Sequence, residues 1–228
     1  MRLFVIVEGQ TEEAFVSQLL APHLLSYGLY AYATIVGTPK RRGSAPLRKG
    51  GGDWPRWQRD IRRVLGEQRK ADVRVTTLFD LYGLPSGFPG LAEHQPDRDT
   101  IRRCEKLEAA LATAFADWRL IPYLQRHEFE ALVLAALPSV RSLLDAEDDL
   151  AGVDALAQDI AGMAPEDIDD GRDTAPSKRL LAHVPSYRKT IHGPLAVGDV
   201  GLAALRARCP RLDGWLARLE ALPTEPTR

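Results

Sequence analysis

The N-terminal stretch LFVIVEGQTEEAF constrains the fold of this chain more than any other segment. Leu3 to Val7 is a continuous run of apolar, mostly β-branched residues, which is typical of a strand buried on both faces. Gly9 permits a sharp turn, and Thr11 is a suitable N-cap for a helix that follows. Glu8 is therefore expected at the carboxyl end of a central strand, where open α/β sheets bind their ligands.

A second buried strand is predicted over Val73 to Phe79, and it ends in Asp80. A helical pattern from Trp54 to Gln68 precedes it, so the two strands are expected to be parallel and to end at the same edge of the sheet. Glu8 and Asp80 can then meet if their strands are neighbours. The chain is thus predicted to be an α/β protein.

A third strand is predicted over Leu120 to Leu124, and the helical stretch HEFEALVLAAL follows it from His127. Glu128 and Glu130 are two positions apart, so on a helix they point about 200° apart. We expect one of them to face the sheet edge and the other to cap a helix or support the site from behind.

Acidic residues at three strand ends predict a divalent cation, Mg²⁺ or Mn²⁺, because both ions prefer carboxylate oxygens and leave positions open for phosphate. Acidic residues also favour first helical turns through the helix dipole, which alone could explain Glu12 and Glu13 but not Glu8. The predicted metal ligands are Glu8, Glu12, Asp80, Glu128 and Glu130.

Basic residues occur in two segments that could bind phosphate. Residues 40 to 52, KRRGSAPLRKGGG, form either a phosphate-gripping loop or a solvated one. Lys178 and Arg179 stand near the start of a helix predicted over Thr174 to Val184, where cations oppose the dipole and need a compensating anion, such as a substrate phosphate or the carboxylates. The predicted substrate contacts are Arg41, Arg42, Arg48, Lys49, His127, Arg179 and Lys189, the last of these in a loop, and Lys178 is predicted to stabilise developing charge.

Composition limits the class of protein without defining its partner. The formal net charge of -1 over 228 residues shows no global basic excess, although a local nucleic-acid groove remains compatible with it. Cys104 and Cys209 lack metal-ligand spacing, and their scarcity fits a reducing compartment. The chain opens with a strand rather than a signal peptide and has no membrane-spanning run, so we expect a soluble cytoplasmic protein without membrane contact.

The C-terminal part differs in composition from the rest. We expect an α/β core over residues 1–137 and a helical subdomain over 138–228 packed on it. Asp145 to Asp173 carries eleven acidic residues and one basic residue, and it is expected to be a solvated acidic surface available to a partner. Glu105 and Glu108, on an earlier helix, are expected to face solvent.

The motifs together resemble a known family. VEGQTEEAF, at 7 to 15, resembles the first motif of the Toprim fold, especially in the overcoming-lysogenization-defect (OLD) nucleases. With TTLFDLYGLPSGFPG, IPYLQRHEFEALV and TAPSKRL, the chain resembles, over nearly its whole length, a Toprim-related bacterial family of unknown function, domain of unknown function 4276. The resemblance implies a Rossmann-like, mostly parallel sheet with a helical C-terminal elaboration. It also implies a Mg²⁺- or Mn²⁺-dependent nuclease acting on DNA or RNA, beside an AAA- or SMC-type ATPase in phage defence.

Residue by residue, Glu8 matches the glutamate of the first Toprim motif, which acts as a general acid/base or metal ligand. Glu12 matches a second acidic position, Asp80 matches the first aspartate of the DxD motif, and Lys178 is the candidate for a late lysine. Tyr82 replaces the second aspartate, which leaves the number of metal ions open. The alternatives are a non-catalytic adaptor that binds an ATPase through its acidic part, and a small phosphatase or nucleotide hydrolase. The chain lacks GxSxG and GxxxxGK[ST], so neither a serine hydrolase nor a P-loop ATPase is indicated.

Overall fold

A parallel β-sheet forms the centre of the chain. The computed structural model describes residues 1–37, 53–67, 72–95, 97–168 and 174–224. The strand order is β2–β1–β3–β4, and β5 pairs with β3 beyond the end of β4; every pairing is parallel. The strands are β1 (Arg2–Val7), β2 (Tyr30–Ile35), β3 (Val73–Asp80), β4 (Leu120–Ile121) and β5 (Leu124–Gln125). The predicted α/β class with a mostly parallel sheet is confirmed.

The strand predicted over Leu120 to Leu124 is divided into two short strands. Pro122 lies between β4 and β5, and a proline has no N–H to donate to a strand ladder. β4 pairs with Val75 and Thr76, whereas β5 pairs with Phe79 and Asp80. The register against β3 is the same before and after the interruption, and β5 brings the chain that follows it to the carboxyl end of β3.

Helices cover both faces of the sheet. The first is nearly continuous: α1 (Gln10–Phe15) runs through a π-helical turn (Val16–Leu20) into α2 (Ala21–Leu25). The others before β4 are α3 (Trp54–Glu67), α4 (Leu91–His94) and α5 (Thr100–Phe115). After β5 come α6 (Glu130–Ala135), α7 (Leu137–Ser142), α8 (Glu147–Asp159), α9 (Pro176–His183), α10 (Lys189–Arg208) and α11 (Pro210–Ala221), with 3-10 turns at Pro165–Asp167 and Leu222–Thr224. Within the described residues, no helix combines the length and the apolar character needed to cross a membrane.

Alternation along the strands divides the core into two layers. Ile6, Val75 and Phe79 pack on one face against α3 and α5, with Trp57 4.6 Å from Phe79 between ring centroids. Val5 and Leu78 belong to the core on the other face. That second core is continuous from β1 to α11, so it contains residues from both sides of the predicted domain boundary at 137, which stays a prediction.

The acidic stretch after α7 is only partly the solvated surface that we expected, since Asp145, Glu147 and Asp148 are exposed but other acids have partners. Three of its acids pair with arginines from other elements: Asp167 with Arg126, Asp154 with Arg141, and Asp159 with Arg179. Asp149 is buried and accepts a hydrogen bond from the Ser186 hydroxyl at 2.6 Å, and buried Glu166 accepts the backbone N–H groups of Arg211 and Leu212 at the start of α11. Five of the eleven acids are therefore buried or paired with arginines, which reduces the surface charge that the composition suggested.

Glu108 was also expected to face solvent, and that expectation is wrong. Its carboxylate accepts the Leu124 backbone N–H at 2.8 Å and forms an ion pair with Arg211 at 2.5 Å. Leu124 begins β5 and Arg211 lies in α11, so Glu108 connects α5 to the sheet and to the C-terminal helices.

Candidate functional site

Glu8 and Asp80 meet at the carboxyl edge of the sheet, as predicted. β1 and β3 are neighbours with Val7 opposite Leu78, so the chain beyond Val7 lies beside the end of β3. The Asp80 backbone N–H donates a hydrogen bond of 2.6 Å to Glu8 Oε1. Gly83 closes over the same carboxylate: a methyl group added there would lie 2.4 Å from Glu8 Oε2. The turn after β3 therefore holds the Glu8 side chain in place.

Glu12 is the second acid of the cluster, and the helix start positions it. The structure makes Gly9 the N-cap of α1, rather than Thr11. The Gly9 N–H donates a hydrogen bond of 2.9 Å to Glu12 Oε2, so Glu12 fills the reciprocal position of a capping box. This bond fixes a buried carboxylate beside Glu8.

Glu130 and Lys189 complete the cluster from the C-terminal half of the chain. Glu130 is the first residue of α6, and its side chain is fully buried. Lys189 is the first residue of α10, where we had expected a loop, and its Nζ lies 2.8 Å from Glu130 Oε2 and 3.9 Å from Asp80 Oδ2. A cation at a helix start opposes the dipole, and these two carboxylates compensate it.

Glu128 points elsewhere, which resolves the choice between the two glutamates. Its Oε2 accepts the Ser177 backbone N–H at 2.9 Å, so Glu128 binds the first turn of α9 and supports that helix. Glu130 is therefore the glutamate of the pair that joins the carboxylate cluster.

Lys178 and Arg179 do not have the partners that we expected. Lys178 is exposed on α9, and Lys189 is the lysine that pairs with Asp80 and Glu130. Arg179 donates to Asp159 at 2.6 Å and to the Thr174 carbonyl at 3.0 Å. An acid of α8 thus compensates Arg179, with no need of a substrate phosphate. Arg41, Arg42, Arg48 and Lys49 lie outside the described residues.

Tyr82 and His127 form a pair beside the cluster. The Tyr82 hydroxyl and His127 Nδ1 are 2.6 Å apart, and the Tyr82 N–H donates to the His127 carbonyl at 3.2 Å. His127 is buried and has a φ of 66°, in the left-handed region that few non-glycine residues adopt. The residue at the second DxD position therefore binds a histidine side chain, which ties the loop after β3 to the loop after β5.

Charge is poorly balanced among the clustered residues. Burial, reinforced by the charge of Glu12, raises the pKa of Glu8 to about 8. Burial and then the charge of Glu8 raise the pKa of Asp80 well above its ordinary value, and burial raises the pKa values of Glu12 and Glu130. Burial alone would lower the pKa of Lys189, but Asp80 and Glu130 outweigh it, so its ammonium stays charged. Within the described residues, Lys189 thus faces three buried carboxyl groups and half-buried Glu8.

The cluster has the donor chemistry of a Mg²⁺ or Mn²⁺ site. Among the described residues, the buried atoms Asp80 Oδ1 and Glu130 Oε1 have no hydrogen-bond partner, so two oxygen donors stand ready for a cation. No three His, Cys, Asp or Glu side chains of the described ranges already stand in metal-ligand geometry. Because Lys189 lies between Glu130 and Asp80, these carboxylates are arranged around an ammonium and would have to turn to share a metal ion.

Solved structures that are similar to this chain include the C-terminal regions of OLD proteins. The C-terminal region of the Burkholderia pseudomallei OLD protein is similar with a TM-score of 0.47 and 14% identity, over 96% of this chain and 98% of that chain. The C-terminal region of the Xanthomonas campestris pv. campestris OLD protein, phased with mercury, has a TM-score of 0.42 and 13% identity, over 95% and 96%. Similarity at this level carries no argument about chemistry.

Sequence comparison assigns the chain to a family. No curated protein matches it. The family model described as "Domain of unknown function (DUF4276)" matches residues 7–220, which include every residue of the carboxylate cluster. The chain therefore belongs to the DUF4276 family.

Proposed function

We propose that this chain is a divalent-cation-dependent phosphodiesterase that cleaves nucleic acid. One observation carries the proposal: the carboxylates of Glu12, Asp80 and Glu130, which are buried, and of half-buried Glu8 converge at one sheet edge around Lys189. Buried acids without matching positive charge are costly, so a bound cation would stabilise a fold that collects them. The convergence is at the carboxyl ends of parallel strands, the usual ligand edge of such sheets.

The four acids have different proposed roles in binding the metal ion. Glu8 and Asp80 are the proposed central ligands, because the Asp80 N–H holds Glu8 in position, and Glu12 and Glu130 are placed to contribute from either side. A bound Mg²⁺ or Mn²⁺ would polarise a phosphodiester oxygen as a Lewis acid.

Lys189 is the proposed phosphate-facing cation, in place of Lys178. Its side chain is 43% exposed although its partner Glu130 is fully buried, so Lys189 is anchored to the cluster and remains partly accessible from solvent. An ammonium in that position can pair with a phosphate oxygen and stabilise charge that develops on it. β2 also ends at this edge, and the four basic residues predicted to contact phosphate follow it in the sequence.

The proposed partner is an ATPase of the AAA or SMC type in a phage-defence system. This part follows from the family resemblance and from the lack of a GxxxxGK[ST] loop in the chain, which would leave ATP hydrolysis to another protein.

A non-catalytic adaptor is the second candidate. Tyr82 stands where the DxD motif has an aspartate, and its hydroxyl is engaged by His127. Docking through a free acidic surface has less support than the composition suggested, because Asp154, Asp159 and Asp167 pair with arginines of this chain.

Calorimetric titration with Mn²⁺ tests the proposal and separates the candidates. The wild type should bind, and Glu8→Gln and Asp80→Asn should each weaken binding by about tenfold or more, since each removes one charged ligand. Glu13→Gln is the matched control, because Glu13 lies in the same helical turn as Glu12 but outside the cluster. Cleavage of labelled single- and double-stranded DNA and RNA then follows, with Lys189→Ala as the variant expected to bind Mn²⁺ without turnover.

Two outcomes would contradict the proposal that the chain is a nuclease. A wild type that binds no Mn²⁺, even with nucleic acid present, leaves the adaptor as the better account. Hydrolysis of free nucleotides with no cleavage of polymers identifies a small-molecule phosphatase that uses the same acids.

A further inference from the structure

β2 is an edge strand whose outer backbone groups can be assigned. Within the described residues it pairs with β1 alone. The Tyr30 N–H donates to the Met1 carbonyl at 2.9 Å, and the Val36 N–H donates to the Val7 carbonyl at 2.9 Å. Backbone groups alternate along a strand, so the N–H and C=O groups of Ala31 and Ala33 point away from β1.

This edge lacks the features that normally prevent strand addition. The strand reads YAYATI, without a charged residue or a proline, and it forms no bulge with β1. Tyr30 and Tyr32 are 54% and 49% exposed, and the Tyr32 ring is stacked on Phe4 at 5.6 Å. The strand therefore offers backbone donors, backbone acceptors and apolar area to a partner.

A cleft of about 570 Å³ runs beside the same edge. Ala31, Tyr32 and Ala33 form one wall, and the other wall consists of the first helix and its π-helical turn, including Ala14 and Ser17. The small alanine and serine side chains leave room next to the outer backbone groups of β2.

The cleft is separate from the carboxylate site. Gln10 also lines it, and Gln10 precedes Glu12 by two positions, so the two side chains leave the helix about 200° apart. The cleft therefore lies on the side of α1 opposite to the acids, and its role is independent of the proposed cleavage.

We propose that a second copy of this chain adds its own β2 to this edge, in antiparallel orientation, and forms a two-fold dimer with one continuous sheet. An extended backbone matches the spacing of a row of outward N–H and C=O groups, and each copy of the chain carries an identical row. Antiparallel pairing of identical strands is closed by a two-fold axis, so no open fibre results. Glu13 is the one charged residue among the described residues that line the cleft, and in the dimer the exposed tyrosines of the two copies come together across the axis.

The test is the mass in solution, measured by light scattering over a range of concentrations. The wild type should shift towards twice the chain mass of 25.2 kDa as the concentration rises. Ala33→Pro should weaken dimerisation by at least about 30-fold, because each dimer loses two backbone donors at roughly tenfold per 1.4 kcal/mol. The Ala33 N–H points outward, so this proline removes no bond from the β1–β2 ladder.

Tyr32→Lys is the second variant, since a lysine on each edge opposes pairing without restricting the backbone. Leu181→Lys is the matched control, as it places the same charge on an exposed residue of α9, outside the edge. Loss of the dimer in both β2 variants, with the control dimeric, supports the proposal. A wild type that stays monomeric at every concentration overturns it, and so does a dimer that survives both variants.

Discussion

Gly83→Ala is the sharpest available test of the carboxylate cluster, because it changes no charge and removes no ligand. Gly83 is not among the glycines with positive φ, so alanine carries no backbone strain there. Its added methyl group would lie 2.4 Å from Glu8 Oε2 and 3.0 Å from Oε1. Ordinary contact needs a separation of about 3.4 Å, so the carboxylate must retreat by roughly 1 Å.

That displacement breaks the hydrogen bond which positions Glu8. The bond from the Asp80 N–H is 2.6 Å long, and lengthening it by roughly 1 Å takes it out of hydrogen-bond range. A hydrogen bond to a charged group contributes about 1.5–3 kcal/mol, which corresponds to roughly 10- to 150-fold in affinity. We therefore expect Gly83→Ala to weaken Mn²⁺ binding by at least tenfold in calorimetric titration, while a cooperative melting transition shows that the variant still folds.

The control is Gly198→Ala, in α10, where the added methyl group meets nothing within 4 Å. It should bind Mn²⁺ as the wild type does. If Gly83→Ala also retained wild-type affinity, Glu8 as held by the Asp80 N–H would not be a ligand, and the reasoning would fail.

Three further predictions concern other parts of the molecule. Lys189→Met should tighten Mn²⁺ binding, because it removes an ammonium 3.9 Å from Asp80, and should lower phosphodiester cleavage by about 100-fold or more; weaker Mn²⁺ binding would contradict the assigned position of the lysine. Gly152→Ala should destabilise the fold by about 2–4 kcal/mol in urea denaturation, since its methyl group would lie 1.9 Å from the His183 carbonyl oxygen and force α8 from α9; a loss below about 1 kcal/mol would refute this close approach. Cys104 and Cys209 should resist a thiol reagent at pH 8 until the protein is denatured, because both are buried and burial raises the pKa of Cys104 to about 12; rapid labelling of the native protein would show otherwise.

The meeting of Glu8 with Asp80 was predictable because it depends on topology. Parallel strands joined by helical crossovers end at one edge, whatever their side chains do, and the two acids directly follow apolar runs. The choice between Glu128 and Glu130 was open, since it depends on where α6 begins. Only the structure shows that the Ser177 N–H occupies Glu128.

Lys189 could not be assigned to the cluster from sequence, because its place depends on a helix start that local propensity disfavours. Gly193 and Pro194 are poor helix formers, yet α10 extends through both. Close packing explains why position 193 is a glycine, because a methyl group there would lie 2.9 Å from the Tyr187 hydroxyl oxygen. The requirement that a cation at a helix start be compensated was sound, but it applies to Lys189 rather than to Lys178.

No pattern in the sequence predicts the pairing of Tyr82 with His127. It depends on a histidine with a φ of 66°, a conformation that the neighbouring residues do not predict. Local patterns predict that a strand exists, whereas the exact exit of the chain from it is set by tertiary contacts.

The position of Lys189 has a consequence for synthesis of the protein. Translation delivers Glu8, Glu12, Asp80 and Glu130 well before α10, so an emerging chain carries four acids of the cluster without their internal cation. β1 and β3 can pair once β3 has left the ribosome, but the acids at the carboxyl edge of the sheet lack the charge of Lys189 until that residue docks. Nucleic acid is abundant around a ribosome, and the uncompensated acids of a nascent chain would repel its phosphates. Any capacity for cleavage would therefore appear only after Lys189 has docked.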